Sequence, residues 1–239
     1  MLLAEPGQLL SVSYLARDPR SSAMAEAARA IPINRGRAEE IFLLAPDLVL
    51  GGTVSTPGTV AMLRRMGVRV ELLPPAESIA DIAAHIRTIG LLLGTEAKAE
   101  AMARDVEARL AALPAPPAER PRIALYGANG ATSGQGGLSA EIIARAGFAN
   151  VTEELDLPDT GRLALERLVL SDPDLILTAD RFPGASEAEA LLDHPALAAL
   201  EGRWEAGQVT DADWVCGLPQ ALEAAERLVE LRLALEVAP

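Results

Sequence analysis

Gly36-Arg-Ala-Glu39-Glu-Ile-Phe-Leu-Leu-Ala-Pro46-Asp47-Leu-Val-Leu50 returns in the second half of the chain as Gly161-Arg-Leu-Ala-Leu-Glu166-Arg-Leu-Val-Leu-Ser-Asp-Pro173-Asp174-Leu-Ile-Leu177. Both stretches carry Gly-Arg, then a glutamate, then Pro-Asp seven residues after that glutamate, then a short apolar run. Proline cannot continue a helix and restricts the residue before it, so each stretch reads as a short helix stopped at Pro-Asp and followed by a strand. Strands that alternate with helices pair in parallel through right-handed crossovers. A unit used twice implies two α/β lobes related by pseudo-symmetry, with a ligand cleft between them.

Working outward, residues 8–15 (QLLSVSYL) alternate as a strand, 21–30 form an Ala-rich helix and 31–36 a loop. The repeated unit predicts a helix over 38–44 and a short buried strand over 47–50. Gly51-Gly52 then turns into a helix with Pro57 in its first turn, where proline is tolerated, and a strand follows over 68–73. Ile79, Ile82, Ile86, Ile89 and Leu93 recur at helical spacing up to Gly94. Thr95 caps a second helix, with Ala101, Val106 and Leu110 expected on its inner side, and Pro114-Ala-Pro-Pro117 stops it. The fold expected is therefore α/β: two Rossmann-like lobes with parallel sheets, joined by a single long helix. The boundaries are an N-terminal lobe over 1–94, a connecting helix and linker over 95–119, and a C-terminal lobe over 120–239. The second lobe opens with a strand over 122–126 and closes with a strand over 208–210, a loop over 211–217 and a terminal helix from Pro219. The start, Met1-Leu-Leu-Ala-Glu-Pro6-Gly7, reads as the last turn of a helix, so further residues are expected upstream.

Composition narrows the function. Of 239 residues, 21 are basic and 34 acidic, a net charge of −13. Phosphate neutralisation needs clustered Lys and Arg, so nucleic acid is excluded as a partner, and an anionic membrane surface is unattractive for the same reason. A single cysteine, Cys216, rules out an internal disulfide framework and a Cys-cluster metal site, and two histidines, His85 and His194, leave little for a zinc centre. Neither a Ser-His-Asp nor a Cys-His constellation can be assembled, so no catalytic residue and no metal ligand is assigned.

The run Gly127-Ala-Asn-Gly130-Ala-Thr-Ser-Gly134-Gln-Gly-Gly137 lies between a strand and a helix, where phosphate loops occur. Its spacing fits neither G-x-G-x-x-G nor the Walker pattern. A Rossmann-like nucleotide-dependent enzyme using this loop stands as the alternative reading; a flexible loop offering N–H groups and hydroxyls to an oxygen-rich ligand is preferred. Glu39 and Glu166 each sit in a first helical turn, where a carboxylate complements the helix dipole. That accounts for an acid at each place but not for the recurrence of the whole unit.

Taken together, the two Glu-(x)6-Pro-Asp-strand units and the joining helix resemble the helical-backbone class of ABC-transporter substrate-binding proteins. Further landmarks of the resemblance are Tyr14 after Ser-Val-Ser, Gly67-Val-Arg-Val, Gly90-x3-Gly94, Thr132-Ser133-Gly134 and Asp213-Trp214. This class carries iron–siderophore complexes, haem and cobalamin across the periplasm. The resemblance runs from about Gln8 to the C-terminus. It departs at the front: the class places a signal peptide, a strand and a helix before the Tyr14 strand. That first strand is missing here, which implies an unpaired edge in the N-terminal sheet.

The resemblance implies a periplasmic, monomeric binding protein rather than an enzyme. It implies no resident cofactor and partners consisting of an ABC permease and its ATPase, the only route by which the chain meets a membrane. By position, Glu39 and Glu166 match the two glutamates that dock onto permease arginines. Tyr14, Asn34, Arg35, Arg37, Tyr126, Asn129, Ser133, Arg162 and Trp214 match ligand-binding segments. Near the two places where cobalamin binders carry tryptophan this chain has Ile33 or Asn34 and Thr160, which weighs against cobalamin. Arg17, Arg35, Arg37, Arg162 and Arg181 suit an anionic chelate, since guanidinium pairs with carboxylate or catecholate oxygens. The expected ligand is a ferric siderophore, with cobalamin or haem next.

Overall fold

The structure is a computed structural model that describes residues 1–134, 136–157, 160–178, 187–200, 203–206, 211–214 and 217–237. The chain divides into two compact units, Met1–Ala76 with Ala80–Glu107, and Glu77–Ile79 with Ala108–Pro239.

In the first unit, β1 (Val12–Ser13) leads into a 3-10 turn, Tyr14–Arg17, and then α1 (Ala25–Ala28). β2 (Ile33–Asn34) pairs parallel with β1, so the expected loop over 31–36 contains a short strand, and the expected strand over 8–15 shrinks to the two residues of β1 before the 3-10 turn. The repeated unit follows as α2 (Ala38–Phe42) and β3 (Leu48–Gly52), then α3 (Pro57–Arg65) with Pro57 at its first turn, and β4 (Arg69–Leu73). β3 and β4 pair parallel as a separate two-stranded sheet. The strand over 47–50 was expected to be buried, yet β3 is half-buried and Leu50 is 37% exposed. The cause is topological: β4 is the only ladder partner of β3 among the described residues, so one strand edge stays unpaired.

α4 (Ile79–Leu93) and α5 (Glu96–Ala112) turn at Gly94, whose φ of +70° suits glycine. They approach closely at Gly90, where an added Cβ would meet the Ala99 Cβ at 2.1 Å. The inner face of α5 is Ala99, Ala103 and Val106, with Leu110 half-buried at the next step; Val106 and Leu110 lie where expected, whereas Ala101 is exposed because the stripe passes through Ala99 and Ala103 instead. Arg87 on α4 clamps two acids of α5: its Nε donates to Glu100 at 2.7 Å and its Nη1 to Glu107 at 2.7 Å. Arg104 donates to Glu100 as well. These bonds lower the Glu100 pKa to about 2.

The second unit is built on β5 (Arg122–Leu125). β6 (Ala131–Ser133), α6 (Gly137–Arg145), β7 (Ala149–Asn150), α7 (Val151–Glu154) and β8 (Thr160–Arg162) follow. The repeated unit then returns as α8 (Leu165–Ser171) and β9 (Leu175–Thr178), succeeded by β10 (Trp204–Ala206), α9 (Asp211–Trp214) and α10 (Ala221–Val237). The order β10-β9-β5-β7 makes a parallel four-stranded sheet among the described residues, with Ile123, Ala124 and Ile176 fully buried. Helix α10 buries Leu222, Ala225 and Leu228, and its Arg232 turns inward to donate to the Ala146 carbonyl at 2.9 Å. The expected strand over 208–210 lies outside the described residues. Asp211–Trp214, expected as loop, is a helical turn. No helix among the described residues is long and apolar enough to cross a membrane.

Candidate functional site

The polar turns of the first unit are held by local bonds. Ser13 caps the turn at Tyr14, its Oγ accepting from the Leu15 N–H at 3.3 Å, and this leaves the Tyr14 side chain 50% exposed. Asn34 is used at both ends: Nδ2 donates to Ser11 Oγ at 2.8 Å and Oδ1 accepts from the Gly36 N–H at 3.1 Å. The Gly36 turn needs φ +73°, and Thr59 Oγ1 donates to its carbonyl at 3.0 Å. Arg35 and Arg37 flank this turn; both are exposed and neither side chain has a hydrogen bond or ion pair among the described residues. Arg17 is the exception to the expected set of cations. Its guanidinium donates to the carbonyls of Ala28, Arg29 and Ile31, so it stitches the α1 loop and is not free for an anion.

In the second unit the Gly-rich run is not the open loop expected. Gly127 N–H donates to the Ala131 carbonyl at 2.8 Å, and β6 then pairs antiparallel with β8, a ladder that local periodicity does not announce. The hydroxyls are spent inside: Thr132 Oγ1 donates to the Leu125 carbonyl at 2.7 Å, and Ser133 Oγ lies 2.7 Å from Ser139 Oγ. Tyr126, expected among the ligand-binding residues, lies in the core of its unit. Its N–H donates to the Leu177 carbonyl at 2.9 Å, continuing the β5–β9 ladder, and its side chain is only 1% exposed in the core with Leu163, Leu165 and Leu168. A ring placed there packs the unit. Burial first, then the Glu166 charge, pushes its hydroxyl pKa up. Asn129, at φ +55°, and Arg162 at the end of β8 are exposed. The Arg162 side chain has no hydrogen bond or ion pair among the described residues. Trp214 ends α9, but its side chain lies outside the described residues, as do Arg181, Cys216 and the Thr160 side chain. Among the described residues no three His, Cys, Asp or Glu side chains gather to hold a metal.

Glu39 and Glu166 occupy matching places. Each is the second residue of its helix, after a buried Ala38 or Leu165, and each is exposed without an ion pair among the described residues. The helices also end alike. Ala45 (φ 48°) and Asp172 (φ 47°) both adopt the left-handed conformation before proline. Ala45 N–H donates to the Phe42 carbonyl, and Asp172 N–H to that of Val169, the corresponding residue. Leu43 and Leu170, four residues after the glutamates, are each 83% exposed. Sequence reasoning passed over them, although their shared offset from the repeated glutamate was visible.

Comparisons with known proteins agree with this architecture. The family model described as periplasmic binding protein matches residues 2–206, and the chain belongs to that family. A curated cobalamin-binding protein of Halobacterium salinarum is 31% identical over 158 residues, 63% of this chain and 43% of its own length. The chain thus matches less than half the length of that relative. The solved apo structure of a periplasmic haem-binding protein from Roseiflexus sp. RS-1 is 25% identical, with a TM-score of 0.76 over 95% of this chain and 89% of that one. An ABC-type Fe3+-hydroxamate transport system structure from Saccharomonospora viridis shares the fold at 22% identity, with a TM-score of 0.64 over 96% of this chain and 85% of that one.

Proposed function

We propose that this chain is the substrate-binding component of an ABC importer, a periplasmic monomer that binds a metal chelate and delivers it to a permease and its ATPase. The observation that carries the reading is the doubled helix–Pro-Asp–strand unit, one in each compact unit, each with an exposed and unpaired glutamate at the second helical position, in a chain of the periplasmic binding protein family. In this role Glu39 and Glu166 meet basic side chains of the permease. No catalytic group is required, and the hydroxyls of the Gly-rich run are internally bonded, which disfavours the nucleotide reading.

The chelate contacts proposed are Tyr14, Arg35 and Arg37 in the first unit and Asn129 and Arg162 in the second, with Trp214 retained from its sequence position. Free guanidiniums suit the carboxylates of a tetrapyrrole or the oxygens of a ferric siderophore. The curated relative places cobalamin first in the assay, haem second and a ferric hydroxamate third. Thermal unfolding is followed with cyanocobalamin, haemin, ferrichrome, NAD and ATP. One metal chelate is expected to raise the melting temperature, since a ligand at 100 times its Kd adds about 2.7 kcal/mol. A shift with a nucleotide and none with any chelate would overturn the reading.

A further inference from the structure

We infer that Leu43 and Leu170 form, with Glu39 and Glu166, a repeated two-point contact for a protein surface that offers a basic side chain beside an apolar pocket, one such surface to each unit. The inference rests on the importer reading above and deepens it by naming what the permease must present. Leu43 N–H donates to the Glu39 carbonyl at 3.1 Å, so the leucine stays in helical register with the glutamate. Glu166 and Leu170 both lie within α8. Residues four apart on a helix share a face, so each carboxylate has an apolar side chain one turn along.

A single exposed leucine needs no explanation. Here the same exposure, 83%, recurs at the same offset from an unpaired carboxylate, although the next two residues differ between the units, Leu44-Ala45 against Ser171-Asp172. The shared terms are the charge and the apolar side chain. In the first unit Leu43 also borders a shallow groove of about 430 Å³, whose other walls include Phe42, Pro46, Met66 and Val68. Apolar contact around an ion pair excludes water and deepens the pair, which is how interface anchors with a water-excluding surround work. A lipid surface fits poorly, because each leucine is accompanied by a carboxylate on a chain of net charge −13.

The test uses the full chain, fluorescently labelled, titrated onto sealed right-side-out membrane vesicles of its source organism, with protein-free liposomes of the extracted lipids as control. Saturable binding to the vesicles alone is expected. The double variant Leu43→Ser/Leu170→Ser should weaken it at least tenfold, Leu43→Met/Leu170→Met should restore most of it, and the melting temperature should not move. Glu39→Lys/Glu166→Lys should abolish binding. If the serine variant binds like the parent while the lysine variant fails, this inference is overturned and the importer reading stands. If the lysine variant also binds normally, the docking role itself is wrong. Equal binding to the liposomes would assign the leucines to lipid and overturn the inference.

Discussion

The two copies of the repeated unit share a helix, a left-handed stop and a strand, but their strands live in different surroundings. Val49 in β3 is half-buried and its counterpart Ile176 in β9 is fully buried. Asp174 uses its carboxylate to accept from the Arg122 N–H at 2.7 Å, at the start of β5. Asp47, at the same place in the first unit, has no such bond among the described residues. Among the described residues β9 has β10 on one edge and β5 on the other, whereas β3 has β4 alone. Local sequence therefore sets the conformation of the unit, and the number of neighbouring strands sets its burial.

The sharpest way to break this comparison is to truncate both strands. Ile176→Ala removes a side chain with 0% exposure from the middle of a four-stranded sheet and should cost about 2–5 kcal/mol. Val49→Ala removes a smaller, half-covered side chain and should cost about 1 kcal/mol or less on area alone. Urea denaturation of the two variants measures both. Equal losses would mean that β3 is covered in solution and that the burial contrast is wrong.

A second pair separates backbone cost from packing cost. Gly36 and Gly130 have nearly the same φ, +73° and +69°, so alanine at either pays roughly 1–2 kcal/mol for the left-handed region. A Cβ on Gly36 meets nothing within 4 Å, while on Gly130 it would lie 2.5 Å from the Leu163 carbonyl oxygen. Gly130→Ala should therefore lose a further 1–3 kcal/mol or so, by overpacking against backbone. Denaturant midpoints that coincide for the two variants would show that the β6–β8 pair moves aside freely.

The repeated unit was legible because each copy is local: the proline, the glutamate and the apolar run lie within 15 or 17 residues of one another. The α4–α5 pair was legible for the same reason, with Val106 on the inner stripe of α5 as expected; Ala101 is off it, in a helix so rich in alanine that several faces look alike. The β6–β8 ladder joins Ala131–Ser133 to Thr160–Arg162 through a long intervening segment, and β7 and α7 are too short to show a period. The strand over 122–126 includes Tyr126, but the burial of its ring depends on Leu163, Leu165 and Leu168, which lie far along the chain and which no local pattern brings to it. Of the expected binding residues, the exposed Tyr14, Arg35, Arg37, Asn129 and Arg162 remain available to solvent, whereas Tyr126 and the hydroxyl of Ser133 are engaged inside their unit.

Acid should test the first unit in a way that leaves a neighbouring variant untouched. The Glu100 carboxyl, held by Arg87 and Arg104, titrates at about 2 against an ordinary 4.5. The unfolded chain thus binds the extra proton between those values, and the stability Glu100 supplies is complete above about pH 4.5 and falls away as pH drops toward 2. The network is solvent-exposed, so the effect is modest and screened by salt. Glu100→Gln should flatten the change in urea midpoint between pH 5 and pH 3. A parent and variant with the same slope would show that the clamp does not persist in solution.

The smallest effect reads the helix stops themselves. Ala45 and Asp172 take φ values of 48° and 47°, at the same step of the two repeats. Alanine pays for that conformation with a Cβ pressed toward the following carbonyl, whereas aspartate visits the region more readily through local hydrogen bonding. Glycine pays nothing there but gives the unfolded chain more freedom. The balance favours Ala45→Gly by about 0.5–1 kcal/mol. At Asp172 the relief is smaller, and the change also removes the ion pair with Arg203, which ties the stop to the residue before β10. Asp172→Gly should therefore be neutral or slightly destabilising, so that one substitution stabilises at only one of two matching positions. Differential scanning calorimetry at one scan rate resolves the difference as a rise in melting temperature for the first variant only. If both variants rise together, the Asp172–Arg203 pair contributes nothing and the two stops are equivalent in energy as well as in shape.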